Sequence, residues 1–328
     1  MLELKGFHHL TAVSADIGAN LEFCTGVLGL RLVKRSVNQD DTSAYHLFYA
    51  DEVGSPGTDL TFFDWPVDRE ARGTRSIVRT GLRVEDKASL EWWRGWLESH
   101  QVSAGPITHW HDRPALHFED GEGQRLSLVA DGGTGPEHRP FPDSPVPAEH
   151  QIRGLGPVVL SVPELEPTEL ILLRVMNLEK LDERDGAESP AGSGTRVHRY
   201  LMDGEGPHAE LHVQVEPGLS PARPGAGGVH HVAFRTPNEE EYRGWADRLR
   251  RLGVPNSGPV DRYYFRSLYF REPGGILFEI ATDGPGFHVD EPLDTLGESV
   301  VLPPFLEPRR SDIEARLKPL PPLPYLEE

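Results

Sequence analysis

Phe270-Arg271-Glu272-Pro273-Gly274-Gly275-Ile276-Leu277-Phe278-Glu279 reads as a β-hairpin, two apolar runs hinged on Pro-Gly-Gly, and it is the last of four. Tyr49-Ala50-Asp51 with Gly57 and Leu60-Thr61 is the first. Phe118-Glu119-Asp120 with Gly123 and Leu126-Ser127 is the second, and Leu201-Met202-Asp203 with Gly206 and Leu211-His212 the third. Self-similarity of this kind decides a fold before any single element does. Working outward from each hairpin gives the same order, strand, helix and three strands.

In the first copy the opening strand runs from Phe7 to Ser14. A helix follows from Asp16, a suitable N-cap, to Leu28, where Gly29 stops it. Strands from Leu30 to Val37, Tyr45 to Asp51 and Asp59 to Trp65 complete the copy, with Gly54-Ser55-Pro56-Gly57 as a turn. The second copy has a strand from Ile77 to Val84, a helix from Ser89 to His100 and strands to Val129. The third has Val158 to Val162, a helix from Glu166 to Asn177 and strands to Val215. The fourth has Val229 to Thr236, a helix from Glu239 to Leu252 and strands to Ala281. The fold class is α+β, four βαβββ modules. A Pro- and Gly-rich linker, 131–154, separates an N-terminal half (1–130, modules one and two) from a C-terminal half (155–282, modules three and four). Residues 283–328, with nine prolines and a short helical stretch near Asp312 to Leu317, form a tail expected to wrap the surface.

A chain of 328 residues can bury a large core. Its net charge of −19 argues against nucleic acid and anionic membrane surfaces as partners. The lone Cys24 has no disulfide partner and falls within the first helix, where it reads as core. No apolar run is long enough to span a bilayer, and Met1-Leu2-Glu3-Leu4-Lys5 does not read as a signal peptide, so a cytoplasmic protein is expected. The sequence leaves a homo-oligomer open.

Two opening strands carry paired histidines, in Gly6-Phe7-His8-His9-Leu10-Thr11 and Gly228-Val229-His230-His231-Val232-Ala233-Phe234. Glu279 interrupts a third apolar run, where an unpaired carboxylate is costly to bury and a cation removes the cost. Two imidazoles and one carboxylate make the facial triad of non-haem Fe(II) oxygenases, with positions open for other ligands. Strand alternation lets only one histidine of each pair face a metal unless a bulge intervenes, and His9 and His231 are assigned that role. By alignment of the opening strands, copies two and three carry Gly81-Leu82 and Val158-Val159 at the paired-histidine position.

Thr61 stands at the hairpin position of Glu279. A carboxylate or histidine there would complete a four-ligand site; threonine leaves three. His109, His111 and His117 read as core or solvated residues, while His198 and His212 in the third copy leave a second metal site open. His212, which aligns with Glu279, lacks an opening-strand partner. Trp92, Trp93 and Trp96 follow helical spacing and read as core. Arg262, Tyr263, Tyr264 and Tyr269 precede Glu279, where a cation and phenols suit either packing or an anionic oxygenated ligand.

With these residues in place, the chain resembles the vicinal oxygen chelate superfamily, which includes glyoxalases, fosfomycin-resistance proteins and extradiol dioxygenases. More narrowly, Phe7 to Thr11, Tyr45 to Thr58, Ser89 to Trp93, Asp143 to Pro147 and Glu272 to Glu279 resemble the hydroquinone ring-cleaving dioxygenases of the dichlorohydroquinone dioxygenase type. The expected fold is two cup-shaped barrels, with modules one and four paired because ligands from these distant modules must share one metal. The resemblance implies an Fe(II) enzyme that opens a para-diol ring with dioxygen, with His9, His231 and Glu279 as ligands. His8, Thr11, His230, Arg262 and Tyr269 would line the pocket, Tyr269 as acid or base and Arg262 holding developing negative charge. Tyr263-Tyr264-Phe265 is bulkier than the resemblance leads one to expect, which bears on substrate size. Two other readings stay open: a glyoxalase-like lyase or isomerase using Mn, Zn or Ni, and a non-catalytic binder of small aromatics.

Overall fold

A computed structural model describes residues 2–186 and 194–326. Of the ranges expected above, residues 1, 187–193 and 327–328 lie outside the described residues. Module one comprises β1 (Phe7–Ser14), α1 (Ile17–Glu22), β2 (Arg31–Val37), β3 (Tyr45–Ala50) and β4 (Asp59–Asp64). Module two comprises β5 (Ser76–Val84), α2 (Lys87–Ser99), β6 (Thr108–Trp110), β7 (Arg113–Glu119) and β8 (Arg125–Ala130). Module three has β9 (Leu155–Val162), α3 (Leu165–Leu170), β10 (Glu179–Asp185), β11 (Arg196–Leu201) and β12 (Glu210–Val215). Module four has β13 (Val229–Thr236), α4 (Glu239–Arg251), β14 (Val260–Asp261), β15 (Phe265–Arg271) and β16 (Leu277–Pro285).

The strands form two curled eight-stranded sheets, ordered β14-β15-β16-β13-β1-β4-β3-β2 and β10-β11-β12-β9-β5-β8-β7-β6. Each sheet therefore takes one module from each half of the chain, one with four and two with three. The joints are the antiparallel pairs β1–β13 and β5–β9, while each opening strand runs parallel to the last strand of its own module. Pairing of modules one and four is what brings residues more than 200 positions apart onto one surface.

Capping fixes the helix starts. Asp16, Asp86 and Asn238 each accept a hydrogen bond from the backbone N–H three residues on, at 3.2, 2.8 and 2.9 Å. Because Asp86 is the cap, α2 starts at Lys87, earlier than the Ser89 expected from sequence. The helices of modules one and three do not run through as plain α-helices. Each ends in a π-helical turn, with Leu28 N–H bonded to Phe23 O and Met176 N–H to Ile171 O at 2.9 and 3.0 Å. Trp93 and Trp245 pin α2 and α4 to the sheets and are fully buried; Cys24 is buried likewise.

The linker is tied to the second sheet through Arg83. Its Nη1 donates to Asp131 Oδ2 at 2.8 Å and its Nε to Leu155 O at 3.1 Å, while Arg153 Nε reaches the same Asp131 oxygen at 3.0 Å. Burial pulls the Arg83 pKa down to about 10 against the pull of Asp131. Removing one partner of a buried pair leaves an uncompensated charge, a cost of about 3–5 kcal/mol. Asp131→Ala should therefore lower the denaturant midpoint markedly, and an unchanged midpoint in urea titration would show that Arg83 is satisfied without it.

The tail lies along module one. Lys34, buried on β2, donates to Phe287 O at 3.0 Å and pairs with Asp290 at 2.7 Å and with Glu291. Tyr264 OH donates to Asp290 Oδ2 at 3.0 Å, and Phe287 packs on Phe48. Farther on, Tyr45 OH donates to Lys318 O and Leu32 N–H to Tyr325 OH.

Candidate metal centre

The site is built on the β1–β13 joint. The two strands pair Phe7 with Phe234 and His9 with Ala233, then Thr11 with His231 and Ala12 with Val229. The register slips at His8 on one strand and at His230 on the other, so each is the extra residue of a bulge. A bulge re-aims neighbouring side chains, which is why both members of each pair can meet: His8 Nδ1 lies 2.9 Å from His9 Nδ1, and His230 Nδ1 lies 2.8 Å from His231 Nδ1.

Those contacts decide which nitrogen faces the centre. Burial first, then the neighbouring His9, pushes the His8 pKa down to about 3, so His8 is neutral; it is also hydrogen-bonded to the Thr282 backbone. With its one N–H donated to that carbonyl, His8 Nδ1 accepts from His9 Nδ1–H. His9 Nε2 is thus the nitrogen that faces the triad. His230 is likewise held near 3 by burial and by His231. An outer partner on Nδ1 that orients the imidazole is the usual device at metal-binding histidines.

His9 Nε2, His231 Nε2 and Glu279 Oε2 converge. The two nitrogens are 3.3 Å apart, and Oε2 is 3.3 Å from His9 Nε2 and 2.9 Å from His231 Nε2. All three residues are buried, and among the described residues they are the His/Cys/Asp/Glu group that could hold a metal ion. Ser267 donates to the other carboxylate oxygen, Oε1, at 2.5 Å. Oε2 has no well-directed hydrogen bond although it is fully buried. Burial alone would raise the Glu279 pKa; His9 and His231 outweigh it and hold the carboxyl well below the ordinary range. An orphaned carboxylate oxygen facing two imidazole Nε2 atoms is a donor set that fits a divalent cation.

Other expected residues fall on different sides of this cluster. Thr11 Oγ1 is 3.2 Å from His231 Nε2 and 2.8 Å from Thr61 Oγ1. Tyr269 lies opposite Glu279 on β15, its ring 6.0 Å from that of His231. Arg262 donates from Nε to Tyr269 OH at 3.2 Å and from Nη2 to Asp40 at 2.8 Å. Arg262, Tyr269, His9 and His231 line one cavity of about 50 Å³, together with His46, Phe48, Phe63, Tyr264, Phe265 and the 36–40 segment. His8, His230 and Thr11, expected in the pocket wall, are not in that lining: the two histidines stand behind the triad, and Thr11 is fully buried against Thr61 and His231. His230 instead edges a separate cavity of about 180 Å³, with Trp65, Arg75 and Arg271. His46 was not singled out from sequence: nothing in Tyr45 to Asp51 distinguishes a cavity-facing histidine from a core one.

The second sheet corrects one alignment. Its register sets Gly81 opposite Ser127 and Val159 opposite His212, as Thr11 faces Thr61 and Ala233 faces Glu279. Val78-Arg79 and Gly156-Pro157, rather than Gly81-Leu82 and Val158-Val159, thus occupy the places of the histidine pairs. Apolar strands carry no register mark of their own, which is why the pattern slid. This second cup is filled by polar pairs: Arg79 donates to Ser127 at 3.1 Å, His212 Nε2 lies 3.0 Å from Glu210, and Arg113 pairs with Glu210 at 2.8 Å.

Residues 76–280 match the model of the glyoxalase/bleomycin resistance protein/dioxygenase superfamily, well over half of the chain. The chain belongs to this superfamily. Within it, the chain is 48% identical over 321 residues to the Bacillus subtilis protein named "Putative ring-cleaving dioxygenase MhqA", covering 97% of this chain and 100% of that one. It is 27% identical over 312 residues to the chlorohydroquinone/hydroquinone 1,2-dioxygenase of Sphingobium indicum, with 93% of each covered. The crystal structure of a Bacillus subtilis protein named "putative dioxygenase" superposes with a TM-score of 0.87 at 33% identity, covering 98% of this chain and 99% of that one.

Proposed function

We propose that the protein is an Fe(II)-dependent dioxygenase that cleaves the ring of a hydroquinone-type, para-diol aromatic. The observation that carries this reading is the triad of two imidazoles and one carboxylate opening onto a cavity walled by aromatic rings. Relatives named as ring-cleaving dioxygenases and as a hydroquinone dioxygenase support it. His9, His231 and Glu279 would hold the metal, for which Fe(II) suits the donor set and Mn, Zn and Ni are the alternatives. When bound, Fe(II) supplies the redox-active centre that lets dioxygen react with an electron-rich ring.

The protein's own side chains do the rest. Phe48, Phe63 and Phe265 offer faces and edges to an aromatic ring and keep water out. Tyr269 and Arg262 line the cavity with the two triad histidines, where the phenol would exchange a proton with the bound substrate as acid or base and Arg262 would hold negative charge that develops on it. The cavity, about 50 Å³, is smaller than the roughly 300–1,000 Å³ of ordinary ligand pockets. At its rim Arg262 pairs with Asp40, whose side chain is largely exposed.

Oxygen uptake by the Fe(II)-loaded protein across a panel of hydroquinones and catechols tests the reading. Uptake that needs both Fe(II) and a para-diol is expected. Turnover of a substrate without oxygen, with Zn, Ni or Mn, would replace it with a lyase or isomerase.

A further inference from the structure

The cavity of about 180 Å³ that His230 edges shares no lining residue with the triad cavity. Phe63 and Trp65 stand between the two. Phe63 lines the triad cavity and Trp65 the other, and their rings stack with centroids 4.7 Å apart. His230 meets both rings edge-on, with centroids 5.5 Å away in each case. Val13, Ile77 and Ile276, all buried, bring modules one, two and four to the same floor, so the cavity lies where the two sheets meet.

Its rim is of the opposite character. Arg75 and Arg271 line the cavity and are exposed, and among the described residues neither is paired with a carboxylate. Arg271 Nη1 donates to Gly275 O at 2.6 Å. Arg75 holds a left-handed backbone, φ +62°, which is uncommon for a residue other than glycine, and its N–H is bonded to Ser161 O at 2.7 Å. Glu70, the sole acid in the lining, answers to other cations: burial raises its pKa, and Arg125 and Arg72 lower it. Acidic residues outnumber basic ones by 52 to 33 in this chain, so two arginines on one rim without a carboxylate are not a matter of short supply.

An apolar floor under a cationic rim selects an amphiphile. An apolar cavity of about 150 Å³ is enough to bind benzene, so one of about 180 Å³ has room for a single ring. A guanidinium presents a planar fork of donors that matches a carboxylate. A neutral ring would leave the arginines unused, and inorganic phosphate would leave the floor empty.

We propose that this cavity is a second ligand site, one that binds a small aromatic carboxylate with its ring on the apolar floor beside Trp65 and its carboxylate at Arg75 and Arg271. Binding is non-covalent, needs no metal and does not depend on the dioxygenase reading. The occupant lies against His230, whose Nδ1 is 2.8 Å from His231 Nδ1, so it borders the metal centre without entering the triad cavity.

Isothermal titration calorimetry of benzoate into the metal-free protein tests the site. A single benzoate per chain is expected, with benzyl alcohol at least about 10-fold weaker and inorganic phosphate showing no saturation. Arg75→Gln and Arg271→Gln should each weaken benzoate about 10-fold, the low end for a hydrogen bond to a charged group, as suits an exposed rim. Ala222→Trp, which fills the cavity from its own lining, should abolish binding. Arg262→Gln, which alters the triad cavity, should leave it unchanged. Wild-type affinity in a variant carrying both Arg75→Gln and Arg271→Gln, benzyl alcohol that binds as tightly as benzoate, or no saturable benzoate binding to the wild type would each overturn the site. Loss of binding in Arg262→Gln would overturn it as well, by placing benzoate beside the triad.

Discussion

Glu279→Ala and His231→Ala are each expected to come off purification without iron and to show no oxygen uptake, whereas His117→Ala and His198→Ala keep both. Losing an outer partner of a metal ligand commonly costs 10- to 100-fold in affinity, and losing one of three direct donors costs more. For Glu279 the effect is compounded by charge. It is the sole carboxylate of the group, and its buried Oε2 lacks a well-directed hydrogen bond. His117 and His198 provide the contrast because they sit on the other sheet, His117 bonded through Nδ1 to Ser127 at 2.7 Å and His198 lying 3.6 Å from Glu183. Metal analysis of the four variants decides the matter, and full iron content in Glu279→Ala would remove the triad assignment.

The triad was legible in the sequence for a physical reason. Charge or imidazole inside an apolar strand is expensive, so His9, His231 and Glu279 stand out from their surroundings. Repetition then did what no single motif could, since only a fold that pairs module one with module four joins residues 9, 231 and 279. The bulges were not legible. His8 and His230 look in sequence like pocket residues, and only the slipped register shows them turned behind the triad with their Nδ1 atoms against the ligands. The π-helical turns after α1 and α3 escaped notice because no residue type specifies them. His46 escaped for the opposite reason: its strand looks wholly ordinary, and only the fold turns it into the cavity, with Nε2 3.0 Å from Thr61 Oγ1 on the next strand.

Tyr269→Phe should bind iron normally and turn over slowly, by about 10² to 10⁴, the usual worth of a positioned general acid or base. The geometry sets its starting form. Burial, then the charge of Glu279, pushes the phenol pKa upward, while Arg262 pulls the other way without reversing the shift, so Tyr269 is protonated at neutral pH. Arg262 Nε donates to the phenol oxygen, and because Ser267 gives its proton to Glu279, the phenol's own proton is held by Ser267 Oγ, from which a bound substrate would have to draw it. A phenol in this state begins as an acid, and the arginine beside it stabilises the phenolate left when the proton departs. If Tyr269 were merely packing, phenylalanine would preserve the ring's place against His231 and cost only the hydrogen bond, about 0.5–1.5 kcal/mol of stability with turnover intact. Iron loading under anaerobic conditions followed by oxygen-uptake rates separates the two, since only an acid–base role divides metal affinity from chemistry; a Tyr269→Phe variant that matched the wild-type rate at full iron occupancy would leave Tyr269 a structural residue.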